Sequence, residues 1–285
     1  MPPMSEQTFI KMHGLGNDFV VLDGRQNGIA LSAEQARALA DRHTGVGCDQ
    51  VIVIEPARDK SADAFMRIHN ADGGEVMACG NASRCIASLL MAETGKQEIV
   101  LETGAGLLNA KAANGGNVTV DMGPAKLEWN EIPLAEETDT LHLSFSRGDL
   151  KDPVAVNVGN PHAVFFVDDA EAIDLETVGP EIEHHPFFPE RTNVEAAQVI
   201  SPDKIRLRVW ERGAGITQAC GTGACATLVA AHRRGLTGRK ASIMLDGGTL
   251  EIEWLENNHV MMTGPVATSF TGTVDFAALS GSETR

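Results

Sequence analysis

Ala78-Cys79-Gly80-Asn81-Ala82-Ser83-Arg84-Cys85 and Ala219-Cys220-Gly221-Thr222-Gly223-Ala224-Cys225-Ala226 are two versions of one pattern, 141 residues apart in a chain of 285. Each puts a cysteine at the mouth of a predicted helix, followed by small residues. The first helix runs from about Asn81 to Thr94, with Ala82, Ile86, Leu89 and Leu90 on one face and Gly95 as its stop. The second carries Ala224, Leu228, Val229 and His232 and stops at Gly235. Without a gap, Phe65–Gly80 aligns on Arg206–Gly221. Arg67 then meets Arg208, Gly74 meets Gly215, Ala78 meets Ala219, Cys79 meets Cys220 and Gly80 meets Gly221. At an offset of 143, Gly16-Asn17 falls on Gly159-Asn160 and Gln50 on Asn193. The chain therefore reads as a duplicated α/β unit. Duplication implies two similar lobes with a cleft between them, a favoured place for a small ligand.

The flanking pattern is mostly strand. Thr8–His13 and Phe19–Leu22 are joined by Gly14-Leu15-Gly16-Asn17-Asp18, whose glycines and asparagine suit a tight loop. Ser32 and Gln35 have the spacing of a capping box, predicting a helix that ends before Gly45. Strands follow at 51–54 and 64–70, a turn at Asp72-Gly73-Gly74, and strands at 98–103, 106–112 and 117–122. In the second half, strands are expected at Leu141–Phe145, Pro153–Val158, Ala163–Val167 and Lys204–Trp210, with a weak helix over Ile173–Glu183. Strands at 241–245, 249–254, 259–263 and 266–274 close the chain. The boundary between the halves is expected near Met122-Gly123-Pro124.

Composition bounds the partners. Hydrophobic residues make up 43% of the chain, enough for a packed core. A formal net charge of −16 argues against nucleic acid and against anionic membrane surfaces. No apolar run approaches the ~20 residues of a membrane span. Met1-Pro2-Pro3-Met4-Ser5-Glu6 lacks the basic start and apolar stretch of a secretory leader. Five cysteines, an odd number without dense spacing, suit free thiols in a reducing compartment, so the expected location is the cytoplasm.

Two cysteines in matching contexts point to chemistry. A helix N-terminus carries partial positive charge and N–H groups without partners, which favours a thiolate there and also grips a carboxylate. One thiolate removing an α-proton while a second thiol delivers one to the opposite face inverts a carbon centre. Cys48, Cys85 and Cys225 read as buried packing. Zinc and dithiol redox chemistry are disfavoured because tight CxxC spacing is missing. A noncatalytic binder of a dibasic amino acid remains the competing class.

The motifs resemble the diaminopimelate epimerase family over nearly the whole chain. They include Lys11-Met12-His13-Gly14-Leu15-Gly16-Asn17-Asp18-Phe19, Asp49-Gln50, Asn70-Ala71-Asp72-Gly73, Cys79-Gly80-Asn81 and Gly159-Asn160-Pro161-His162. Glu190-Arg191 with Asn193, Glu211-Arg212-Gly213-Ala214-Gly215 and Gln218-Ala219-Cys220-Gly221-Thr222-Gly223-Ala224-Cys225 complete the set. The chain departs from the family pattern at Ala82-Ser83, where Gly-Ala is usual, and at Thr222, where Ser is common. The cysteine motifs are shared with proline racemases. Arg212 and the asparagines, which suit a second charged end on the substrate, favour the epimerase. Both cysteines being present disfavours the phenazine-biosynthesis relatives.

The resemblance implies an α/β (α+β) fold of two pseudo-symmetric lobes, each a mixed, mostly antiparallel barrel-like sheet around a central helix. The N-terminal lobe takes 1–122 with a returning strand over 267–280, and the C-terminal lobe takes 123–266. The resemblance also implies a homodimer that interconverts LL- and meso-2,6-diaminopimelate for lysine and peptidoglycan precursors, with no cofactor and no metal. It assigns Cys79, Cys220, His162 and Glu211 to catalysis. It places Asn17, Gln50, Asn70, Gly80, Asn81, Asn160, Asn193, Glu211, Arg212, Gly221 and Thr222 at the substrate.

Overall fold

The computed structural model describes residues 6–279, so the start read at Met1–Ser5 and residue 280 of the returning strand lie outside it. The chain divides into two compact units, Met1–Val120 with Pro265–Arg285, and Asp121–Gly264. The first contains β1 (Glu6–Gly14), β2 (Asn17–Asp23), α1 (Ala33–Ala40), β3 (Gln50–Glu55), β4 (Ala64–Asn70), β5 (Glu75–Val76), α2 (Gly80–Thr94), β6 (Glu98–Thr103) and β7 (Gly106–Ala112). Strand β8 (Val118–Pro124) carries the chain into the second unit. There the order is a small ribbon of β9 (Ser146–Arg147) and β10 (Leu150–Lys151), then β11 (Val154–Asn157), β12 (Pro161–Phe166), α3 (Leu175–Glu183), β13 (Asn193–Ser201), β14 (Lys204–Glu211) and β15 (Gly215–Ile216). It continues through α4 (Gly221–Arg233), β16 (Lys240–Leu245), β17 (Gly248–Trp254) and β18 (His259–Gly264). The last strand, β19 (Ala267–Asp275), pairs antiparallel with β1, and α5 (Phe276–Leu279) ends the described chain.

The two units repeat one wiring diagram. β1–β2 and β11–β12 are antiparallel; β2–β3 and β12–β13 are parallel. β4–β6 and β14–β16 are parallel, and the hairpins β6–β7 and β16–β17 are antiparallel. Register repeats as well. The pair Phe19↔Gln50 becomes His162↔Asn193 on adding 143 to each number. The pair His69↔Glu75 becomes Trp210↔Ile216 on adding 141. Because side chains alternate faces along a strand, matched register puts equivalent residues on equivalent faces. Gln50 and Asn193 thus hold the same station in their units.

Each unit has a helix at its centre. Ten of the 13 residues of α4 are buried, and the helix packs against β11, β12, β13, β14, β16, β17 and β18. Ten of the 15 residues of α2 are buried, against β1, β6 and β7 among others. A helix apolar nearly all round belongs inside a protein rather than on it. The single apolar face expected for α2 is therefore too narrow a description, and Leu89 on that face is only half-buried. The expected stops hold: Gly95 is left-handed at φ 74°, and its N–H bonds to Met91 O.

The expected capping box is present, Ser32 Oγ accepting from Gln35 N and Gln35 Oε1 from Ser32 N, and α1 ends at Ala40, before Gly45 as expected. Asp41 stops it by accepting the N–H groups of His43 and Thr44, which turns the chain. Leu141–Phe145 is not a strand. Its alternating apolar residues are anchors instead: Leu143 is buried, and Phe145 packs against Phe165, Phe187, Phe188 and His185. Strand β13 was not expected from sequence, since Glu195 breaks its apolar pattern.

The site-bearing end of β14 is braced by α3. Trp210 Nε1 donates to Glu183 Oε2 at 2.8 Å, and the indole lies close against Gly179, where an added Cβ would sit 2.5 Å from the ring. Gly179→Ala should therefore lower unfolding stability by about 1–3 kcal/mol through overpacking. A denaturant midpoint unchanged from the parent would contradict this close approach.

Candidate active site

In the first unit, Cys79 is the N-cap residue of α2, with extended backbone and no capping hydrogen bond from its side chain. Its thiol points to Asn17 Oδ1 at 3.9 Å, and Asn81 Nδ2 donates to the same oxygen at 3.2 Å. Asn17 is oriented from behind: its Nδ2 donates to Asp49 Oδ2 at 2.9 Å. Asp49 in turn accepts from Arg42, which also grips Asp18. Burial works against the Asp18 charge, but hydrogen bonds from Arg42 and Lys11 outweigh it and hold the carboxyl down at about 2. Beside this cluster, Gln50 Nε2 donates to Asn70 Oδ1 at 2.9 Å. Gln50 Oε1 is buried and has no partner among the described residues, leaving an acceptor open.

In the second unit, Cys220 is the N-cap residue of α4. Its sulfur accepts from Gly223 N at 3.3 Å and lies 3.5 Å from Thr222 Oγ1. His162 is fully buried, with Nδ1 2.6 Å from Glu195 Oε1 and Nε2 2.8 Å from Asn160 Oδ1. Asn193 accepts Arg212 N at 2.9 Å and donates to Pro161 O at 2.8 Å, so it braces the turn that carries Arg212. Glu183 accepts Gly213 N in the same turn. The Arg212 side chain is exposed, and its guanidinium donates to Glu190 O at 2.9 Å. Glu211 accepts from Thr217 Oγ1.

Electrostatics at Cys220 differ from the expectation of a helix start that favours a thiolate. The Gly223 N–H does favour it, but burial and the nearby Glu211 carboxylate outweigh that bond and push the thiol well above its ordinary value. Without a cation beside it, Cys220 rests as a thiol. Burial likewise lifts Cys48 to about 11 and Cys85 to about 12, which keeps both inert at neutral pH.

Within the first unit, the structure brings Asn17, Cys79, Gly80 and Asn81 together, with Gln50 and Asn70 as a second bonded pair. Within the second it links Asn160 to His162, Asn193 to Arg212, and Cys220 to Thr222. Sequence reasoning missed Asp49, Glu183, Glu195 and Thr217. Glu183 and Glu195 are carboxyls inside apolar surroundings, a signal that emerges only once the strands and helices are placed.

A family model described as diaminopimelate epimerase matches residues 9–128 and 154–269. The chain belongs to the diaminopimelate epimerase family. It is 62% identical over 274 residues to a diaminopimelate epimerase of Rhodospirillum centenum, covering 96% of this chain and 94% of that one. Identity to that of Phenylobacterium zucineum is 58%, with 93% and 96% covered. Solved structures share the fold at lower identity. A hydroxyproline epimerase from Agrobacterium vitis superposes with TM-score 0.68 at 18% identity, covering 96% and 94%. A PhzC/PhzF-type protein from Clostridium difficile gives 0.68 at 13%, covering 94% and 99%. As a member of the diaminopimelate epimerase family the chain is an isomerase, an amino-acid epimerase. No helix among the described residues is long and apolar enough to cross a membrane.

The Asp18 cluster has a pH signature. The folded carboxyl ionises near 2 and an unfolded one near 4. Its stabilisation is complete above the unfolded value and is lost as pH falls toward 2. Asp18→Asn should cost about 1–2 kcal/mol at pH 7, allowing for the solvent-open flank at Arg42, and almost nothing at pH 2. Equal losses at both pH values, read by urea denaturation, would count against the cluster.

Proposed function

We propose that the protein interconverts LL- and meso-2,6-diaminopimelate, with Cys79 and Cys220 as the two proton-transferring groups on one α-carbon. One observation carries the reading: each half of a duplicated fold caps its central buried helix with a cysteine at the equivalent station. Inversion at carbon needs a base on one face and an acid on the other, and duplication is a direct way to supply two equivalent groups.

The remaining residues fit that task. The α-carboxylate is bound by N–H groups at the helix starts, Gly80-Asn81 and Gly221-Thr222, which stabilise the charge that develops as the α-proton leaves. The α-ammonium faces Glu211. Its charge offsets the carboxylate that helps hold Cys220 up, so on substrate binding Cys220 gives up its proton to solvent and becomes the thiolate. Cys220 then takes the proton while the Cys79 thiol gives one; the roles exchange for the reverse direction. His162 assists from behind Asn160. Arg212 grips the distal carboxylate, and Asn17, Gln50, Asn70 and Asn193 serve the amino-acid ends with amide donors and acceptors. The carbanion is stabilised by fixed dipoles, so the scheme uses neither pyridoxal phosphate nor a metal. On this reading the enzyme works in the cytoplasm as a homodimer, supplying lysine and peptidoglycan precursors.

Cys79→Ala and Cys220→Ala should each lower epimerisation of LL-diaminopimelate by about a hundredfold to ten-thousandfold, while calorimetry still detects binding. Full activity in either variant would overturn the two-base scheme.

A further inference from the structure

Glu195 is the third residue of β13, in the core of the second unit, with no exposed surface. Its Oε1 lies 2.6 Å from His162 Nδ1, and its Oε2 has no hydrogen-bond partner among the described residues. It reaches the start of α4 because residue 223 is glycine. A Cβ there would sit 3.1 Å from Glu195 Oε1 and 3.2 Å from Cys220 Sγ. The other ring nitrogen of His162 lies 2.8 Å from Asn160 Oδ1. Three side chains therefore form one line: carboxyl, imidazole, amide.

The proton positions along that line follow from charge. If Glu195 were a carboxylate, its partnerless Oε2 would carry negative charge with no exposed surface, close to the Glu211 carboxylate. A buried anionic oxygen without a donor is far more costly than a buried carbonyl oxygen. The carboxylic acid removes that cost, because Oε1–H donates to His162 Nδ1 and Oε2 becomes a carbonyl. Burial, reinforced by Glu211, shifts Glu195 in this direction against the pull of His162. With Nδ1 accepting, the imidazole hydrogen lies on Nε2 and donates to Asn160 Oδ1. That fixes the amide, so Asn160 Nδ2 turns its two hydrogens away from the histidine.

We propose that Glu195 is a positioning residue: its neutral carboxyl sets the tautomer of His162, and through it the amide of Asn160 presents donors to the substrate. The proposal rests on the diaminopimelate reading for what Asn160 meets, but the proton arrangement stands without it. It predicts that an anionic group, a carboxylate, is what Asn160 recognises.

Two readouts test it. Nitrogen-15 spectra of the histidine side chains at neutral pH, with His162→Gln to assign the signals, should show His162 protonated on Nε2 alone. A proton on Nδ1, alone or on both nitrogens, would overturn the proposal. In steady-state kinetics Glu195→Leu, which cannot donate to Nδ1, should raise KM for LL-diaminopimelate about tenfold, the loss of one hydrogen bond to a charged group. Glu195→Gln keeps an N–H donor in the same place and should restore KM to near the parent value. A merely structural role would lower thermal stability and leave KM alone. Glu195→Gln as impaired as Glu195→Leu, or KM unmoved in both, contradicts the inference. If the parent enzyme does not turn over diaminopimelate, the functional reading fails while the spectra still decide the proton arrangement.

Discussion

The structure depends on burying a helix on every side. A buried helix satisfies its own interior hydrogen bonds, but its first N–H groups have no water to turn to. In both units the chain meets this constraint alike. A cysteine occupies the N-cap, small residues follow, and the polar start opens among asparagine and threonine side chains. The same constraint that makes these ends costly to leave unpaired makes them receptive to an anion.

The second unit shows how such a site is charged. Glu195 and Glu211 lie near the start of α4, while Glu183 sits at the end of α3. Glu183 is spent on Trp210 and Gly213, fixing the turn that aims Arg212. Glu195 faces an imidazole, and Glu211 accepts from Thr217. Burial and the Glu211 carboxylate hold Cys220 as a thiol.

Much of this is legible in the chain. Cysteine and glycine at matched spacing reveal the duplication, and the register pairs Phe19↔Gln50 and His162↔Asn193 agree with the offset of 143 read from residues alone. The family resemblance was legible for the same reason, since the motifs lie at the helix starts and turns that the fold repeats. Leu141–Phe145 misled because an alternating pattern records which residues are buried, not whether a partner strand lies alongside. Glu195 and Glu183 were hidden because a lone carboxyl in a sequence reads as solvent-exposed. Only the surrounding strands show otherwise. The helix start alone favours a thiolate at Cys220, and what opposes it, burial first and then the Glu211 carboxylate, is visible only once α4 is placed inside the second unit.

Two sulfurs serving one carbon is the claim on which the account turns, and isotopic labelling at early conversion reads it most directly. LL-diaminopimelate turned over in heavy water should give meso product carrying one deuterium at the inverted carbon, while the recovered substrate keeps its hydrogen. Each face would then have its own proton carrier. Deuterium appearing in recovered LL-diaminopimelate as fast as in product, or product retaining the original hydrogen, would mean a single base serves both faces and would contradict the account.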